Sequence, residues 1–246
     1  MIDPSSQSRK NRGKSSEDES LFGLVNEQNK LKLAVEDMYY LLSKNYAKKS
    51  TLHLVAHHYQ LKKRQILALQ GMSCSQEDIR IRKEKELQSD DLQNNTVYLD
   101  GFNILIIMES ALSGAYVFKG LDGCYRDISS VYGTYRRVNQ TKEALIIVGK
   151  ILQELKVEKV MWIFDSPVSN SGKTKKLCYE IATENNFPWE AELMYSPDKF
   201  LAKGNKIVIS SDAWILNECS SWFNLFNYAL KSNHITIDKS NIISSD

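Results

Sequence analysis

Three apolar runs of this chain each stop at an aspartate: Thr96-Val97-Tyr98-Leu99-Asp100, Val160-Met161-Trp162-Ile163-Phe164-Asp165 and Ile207-Val208-Ile209-Ser210-Ser211-Asp212. Runs this continuous predict strands buried on both faces, as in a parallel sheet covered by helices. Ligands of such sheets bind at the carboxyl ends of the strands, so Asp100, Asp165 and Asp212 are predicted to share one edge. Carboxylates held together repel unless a cation stands between them, and a hard divalent ion with oxygen ligands is the usual answer. The chemistry such a set supports is hydrolysis of a phosphodiester with Mg2+ or Mn2+ as cofactor. Two of the aspartates also have an ordinary reading, since Asp100 before Gly101 suits a turn and Asp212 suits the cap of a following helix.

The neighbours of these aspartates extend the candidate site. Gly101 lets the backbone turn sharply beneath Asp100, and Asn103 stands where it can orient that carboxylate or contact a phosphate. Ser169 and Ser210 are candidates to position water or substrate, and Arg126 to grip a phosphate through paired N–H donors. After Asp165, Ser171-Gly172-Lys173-Thr174 mimics the end of a Walker A loop. That loop needs a glycine where Pro167 stands, and proline has no N–H to offer a phosphate. The segment is therefore read as a polar loop in which Lys173 and helix N-terminal amides meet a substrate phosphate. His53 and His57 form an i, i+4 pair but lack the glutamate of a zinc-protease motif and a third ligand, so they read as part of a basic helical surface.

These residues need a scaffold. The 246-residue chain is 42% hydrophobic with a formal net charge of only +2, which by itself does not mark a nucleic-acid binder. No apolar run approaches the roughly 18 residues of a membrane span. Met1 to Ser20 is too polar for a secretory signal, and Cys74, Cys124, Cys178 and Cys219 show no metal spacing. A cytoplasmic protein with reduced thiols and no membrane contact is expected. Residues 1–20 are expected to be a disordered tail. A helical module is placed at 21–75, with helices near 31–42, from Ser50, and from Lys62 to a stop at Gly71. It is basic, with no acidic residue between Asp37 and Glu77. Residues 76–95 form a charged linker, read as a linker helix or an exposed connection, and 96–246 an α/β domain. In that domain, helices are expected at 103–112, 141–155, 171–185 and 213–230, and further strands at 189–195, 207–209 and 235–238. A glycine-broken insertion at 114–137 suggests a hairpin or long loop near the site.

Asp100-Gly101-Phe102-Asn103 after the first strand resembles the opening motif of PIN/NYN-like nuclease domains, and Ser210-Ser211-Asp212 resembles the Thr/Ser-x-Asp context of their last acidic strand end. Together with the helical module, Asp122-Gly123-Cys124-Tyr125-Arg126-Asp127 and Asp165-Ser166-Pro167-Val168-Ser169, the order is similar to an uncharacterised prokaryotic family. That family joins a small helical domain of unknown function to a PIN-like domain, and the resemblance spans roughly residues 30–240. It implies a doubly wound, mostly parallel sheet flanked by helices and preceded by a small all-helical domain. It also implies a Mg2+- or Mn2+-dependent endoribonuclease, favouring RNA over DNA. Asp100, Asp165 and Asp212 would be catalytic metal ligands, and Asn103, Ser169, Ser210, Arg126 and Lys173 would bind substrate. A helix carboxylate such as Glu109 is a further possible contributor. The alternative is a PIN-like fold without catalysis, serving as a nucleic-acid-binding or regulatory module. An aspartyl-nucleophile phosphatase is disfavoured, because Phe102 occupies the position of its second aspartate.

Overall fold

The structure, a computed structural model, describes residues 12–129 and 135–245. A π-helical turn, Glu19–Gly23, leads into α1 (Val25–Ser43), α2 (Lys48–His58), α3 (Lys63–Met72) and α4 (Gln76–Lys85). There follow β1 (Thr96–Asp100), α5 (Gly101–Leu112), β2 (Val117–Lys119), β3 (Tyr125–Arg126), α6 (Thr141–Glu154) and β4 (Lys159–Asp165). The chain continues through α7 (Ser171–Asn185), β5 (Trp189–Met194), α8 (Pro197–Leu201), β6 (Ile207–Ile209), α9 (Ala213–Glu218), β7 (Ser221–Trp222), α10 (Leu225–Lys231) and β8 (Ile242–Ser244).

The main sheet has five parallel strands in the order β5-β4-β1-β6-β7. From β1 the chain winds outward through β4 and β5, then returns to the other side of β1 to lay down β6 and β7. The β1–β6 boundary is thus the switch point, where adjacent connections leave on opposite sides and open a crevice at the strand ends. Both faces are covered, which explains the unbroken apolar runs. Val160, Trp162 and Phe164 of β4 enter a large core with α5, α6 and α7, while Met161 and Ile163 enter a second core with Leu201, Ile215 and Leu216 of α8 and α9. The two-residue period of a strand sorts alternate side chains to the two faces.

The helical region does not stand apart. Leu31, Val35, Met38, Leu69 and Met72 share a core with Phe118 and Ile243 of a second, three-stranded sheet of order β3-β2-β8. Phe22 packs edge-on against Phe118 with ring centroids 4.9 Å apart. The 114–137 insertion is therefore a hairpin, β2 and β3, that docks the helices onto the α/β region. Its residues 130–134 lie outside the described ones.

Several expectations need correction. Of the expected disordered tail, residues 1–20, the described part 12–20 packs against the body. Arg12 is paired with the buried Glu109, and the buried Asp18 with Arg64 at 2.6 Å. Ion pairs to distant residues leave no periodic signature, so composition alone points the wrong way; residues 1–11 lie outside the described ones. The 76–95 segment does hold a helix, α4, one of its two expected forms, but it is docked rather than a free connection: Arg82 is buried and donates to Asn217 and Asp122. The single helix predicted over 213–230 is broken into α9, β7 and α10. Trp222 is buried in one core and Phe223 in the other, an alternation that only extended chain provides. Ile235–Asp238 is not a strand, because Asp238 accepts from Ser240 N at 2.9 Å to cap a 3-10 turn, and the last strand is β8. No helix among the described residues is long and apolar enough to cross a membrane.

Candidate active site

Glycine is required at 101, where α5 leaves β1 against β4. A Cβ there would stand 2.7 Å from the Ile163 carbonyl oxygen and overlap the Phe164 ring. This close approach sets the buried Asp100 carboxyl at the mouth of the switch point. Its Oδ2 accepts a hydrogen bond from Ser210 Oγ at 2.8 Å, and Ser210 Oγ accepts from the Asp212 backbone N–H at 3.0 Å. Alongside, Asn103 Oδ1 accepts from both the N–H and the hydroxyl of Ser211 at 2.9 Å. Asn103 and Ser210 thus lock the end of β1 to the end of β6. Asp212 does cap α9, as its ordinary reading predicts, with Oδ1 accepting from Trp214 N at 2.9 Å and Ile215 N at 3.0 Å. These cap bonds both engage Oδ1.

Electrostatics joins the three predicted aspartates to a fourth. Burial, then the charges of Asp212, Asp198 and Asp165, push the Asp100 carboxyl up to about 8, against the pull of the Ser210 hydrogen bond. Asp165 is raised by burial and by Asp198, and Asp198 by burial and by Asp212. Asp198 was not legible as a site residue. It follows Pro197 at the start of α8, where an acidic residue is ordinary helix-start chemistry.

The chemistry of this edge fits a hard divalent cation in one respect. It is an all-oxygen set in which the buried Asp100, the half-buried Asp165 and Asp212 and the exposed Asp198 repel, and none of the four enters an ion pair among the described residues. In another respect the fit is incomplete. Among the described residues no group of three or more His, Cys, Asp or Glu side chains closes to metal-binding geometry. Asp100, Asp165 and Asp212 are electrostatic neighbours rather than ligands already converged on one point. Mg2+ commonly keeps several waters and touches only one or two carboxylates, and so suits such spacing better than an all-protein cage.

The remaining candidates separate. Ser169 and Lys173 are exposed on the loop after β4 and on the first turn of α7. Thr174 is fully buried and donates to the Asn170 carbonyl at 3.1 Å, which with Pro167 removes the Walker A reading. Arg126 donates to Ser211 O, Gly71 O and both oxygens of Asp122 at 2.6 to 2.9 Å, committing four of its five N–H bonds inside the protein. It fastens α3 to the end of β6. Asp122 lies between Arg126 and Arg82; despite burial, these charges hold its carboxyl down at about 2. Burial pushes Asp127 up to about 6. Glu109 takes no part in the acidic edge. It is fully buried and accepts from Arg12, Tyr135 and Thr141, which engage its carboxylate inside the core. His53, His57 and His58 are exposed on α2.

A groove of about 400 Å³ runs from this edge to the helical module. Asn103, Arg126, Ser211, Asp212 and Trp214 line one side, and Lys48, Leu67 and Gln70 the other.

Fold and site together define a mixed α/β protein with an acidic edge at the switch point of a parallel sheet and a helical module across a groove from it. Residues 89–228 match a family described as a domain of unknown function (DUF5616), and residues 30–85 match one described as a protein of unknown function (DUF434). The chain belongs to the DUF5616 family, with the DUF434 segment ahead of it forming the helical module. An uncharacterized protein of Methanocaldococcus jannaschii is 31% identical over 183 residues, covering 74% of this chain and 87% of that relative. No solved structure matches the chain.

Proposed function

We propose that the chain is a metal-dependent nuclease, a PIN-like domain that hydrolyses phosphodiester bonds in nucleic acid, RNA in preference to DNA. The observation that carries this reading is the burial of Asp100 among Asp165, Asp198 and Asp212 at the switch point of the sheet. Such uncompensated charge weakens the fold, and strongly perturbed groups in clefts are characteristic of functional sites. The doubly wound parallel sheet and the Asp100-Gly101-Phe102-Asn103 turn support the PIN-like part of the proposal.

Mg2+ or Mn2+ bound here would supply a water of lowered pKa and neutralise charge on the scissile phosphate. Asp100 would hold it, with Asp165, Asp198 and Asp212 contributing directly or through water. The Ser210 hydroxyl fixes one oxygen of Asp100, and Asn103 fixes the relation of β1 to β6, so the carboxyl is positioned before substrate arrives. Lys173, exposed near the N-terminus of the 15-residue α7, and Ser169 would meet a substrate phosphate.

A second reading, a non-catalytic PIN-like binding or regulatory module, is favoured by one observation: the carboxylates do not converge in this arrangement. The test is cleavage of labelled RNA and DNA with Mg2+ or Mn2+, comparing the native chain with Asp100→Asn. Metal-dependent cleavage that falls at least about 100-fold in the variant supports the nuclease. Binding with no metal-dependent cleavage supports the second reading.

A further inference from the structure

The carboxyl edge of the sheet carries two bare aromatic residues, one at each end of the acidic row. Tyr195, the residue after β5, is 83% exposed, and Trp214, in the first turn of α9, is 48% exposed. The strand order β5-β4-β1-β6 fixes the sequence along the edge as Tyr195, Asp165, Asp100, Asp212, Trp214. At roughly 4.8 Å per strand, β5 and β6 are about 14 Å apart. That span is about four nucleotides at the 3.4 Å rise of a stacked strand, and fewer when extended. The Trp214 backbone N–H is bonded to Asp212, so the indole is tied to the row itself. It also lines the groove that continues to Lys48 on the helical module.

We infer that this edge binds an unpaired stretch of nucleic acid, with one base stacked on Trp214, another on Tyr195, and the backbone between them crossing the carboxylates. The inference rests on the nuclease reading only in placing the reacting phosphate at that row. Exposed ring faces accept any base but need it out of a duplex, and successive aromatics beside a backbone track are the usual means of holding a single strand. A paired helix presents its bases edge-on and gives neither ring a face to stack on. Beyond Trp214 the strand follows the groove, where Lys48 meets a phosphate. The helical module is then one wall of the substrate channel rather than a separate domain.

Tryptophan fluorescence provides the test, because Trp162, Trp189 and Trp222 are buried and Trp214 is the exposed one. A 12-nucleotide RNA is titrated in Ca2+, in single-stranded form and as a duplex of the same sequence. Expected results are quenching by the single strand, at least about tenfold weaker binding of the duplex, and loss of the quench in Trp214→Phe with affinity largely kept. Trp214→Ala and Tyr195→Ala each weaken binding about 5- to 100-fold with unchanged melting temperature, and Lys48→Ala lowers the salt slope by about one. Unaltered affinity in both alanine variants, equal binding of the duplex, or no binding by the native chain would overturn the inference. The two proposals fail separately. Metal-dependent cleavage lost in Asp100→Asn but intact in both aromatic variants removes the strand site alone. Quenching without any cleavage removes the nuclease alone.

Discussion

Replacing Asp100 by asparagine should stabilise this protein at alkaline pH, although Asp100 is the residue on which the proposed activity depends. The folded-state carboxyl titrates at about 8 against an ordinary 3.8. Below the ordinary value it is protonated both folded and unfolded, and contributes nothing. As pH rises from there, the unfolded chain ionises while the folded chain holds its proton, so stability falls, and above about 8 the full penalty is present. About four units at 1.36 kcal/mol each is roughly 5–6 kcal/mol. Water entry and movement of the neighbouring carboxylates relieve part of this, leaving on the order of 2–3 kcal/mol. Asparagine has the same shape, can still accept from Ser210, and carries no charge. For a chain of this size that gain is a rise of about 4–12 °C in melting temperature. Melting curves of both proteins in EDTA, from pH 4 to 9, test it. The difference should be near zero at pH 4, grow as pH rises and level off above about pH 8. A variant that melts at or below the native temperature throughout would falsify the electrostatic account of the site.

Other perturbations have defined outcomes. Arg12→Ala strands the Glu109 carboxylate in the core; a loss of about 3 kcal/mol, or roughly 6–12 °C, is expected in thermal melts. Asp122→Asn leaves Arg82 and Arg126 facing each other without their shared carboxylate, and should cost about 3–5 kcal/mol in urea unfolding and expose the α3–β6 junction to protease. Gly101→Ala drives a methyl against Phe164 and the Ile163 carbonyl, with an expected cost of about 1–3 kcal/mol and a larger fall in cleavage than in RNA binding. Because Thr174 is buried and bonded to Asn170, ATP should neither bind by calorimetry nor shift the melting temperature.

How much of this was legible in the residues depends on what each residue answers to. β1, β4 and β6 were legible because burial on both faces leaves an uninterrupted apolar run, and α7 because its spacing is helical from Ser171 to Asn185. The pairing of Asp100 with Ser210 and of Asn103 with Ser211 follows once those strands are neighbours. Asp198 was hidden by its ordinary place at a helix start. The roles of Arg12, Arg126 and Glu109 were hidden for a different reason: each is fixed by partners distant in sequence, such as Arg12 with Glu109 and Arg126 with Gly71 and Ser211. No local period encodes such pairs. The break of the predicted 213–230 helix at Trp222 likewise depends on two cores meeting at one strand, which a helical spacing of apolar residues imitates.

Direct binding of Mn2+ decides whether the carboxylate row is a cation site. Electron paramagnetic resonance of free Mn2+, titrated with protein at pH 8 in the presence of a non-cleavable RNA, counts the bound ion. The native chain should take up one or two Mn2+ per molecule, displaced by excess Mg2+, and Asp100→Asn should take up none over the same range. Uptake by the variant equal to that of the native chain, or no uptake by either, would contradict a metal site at this edge.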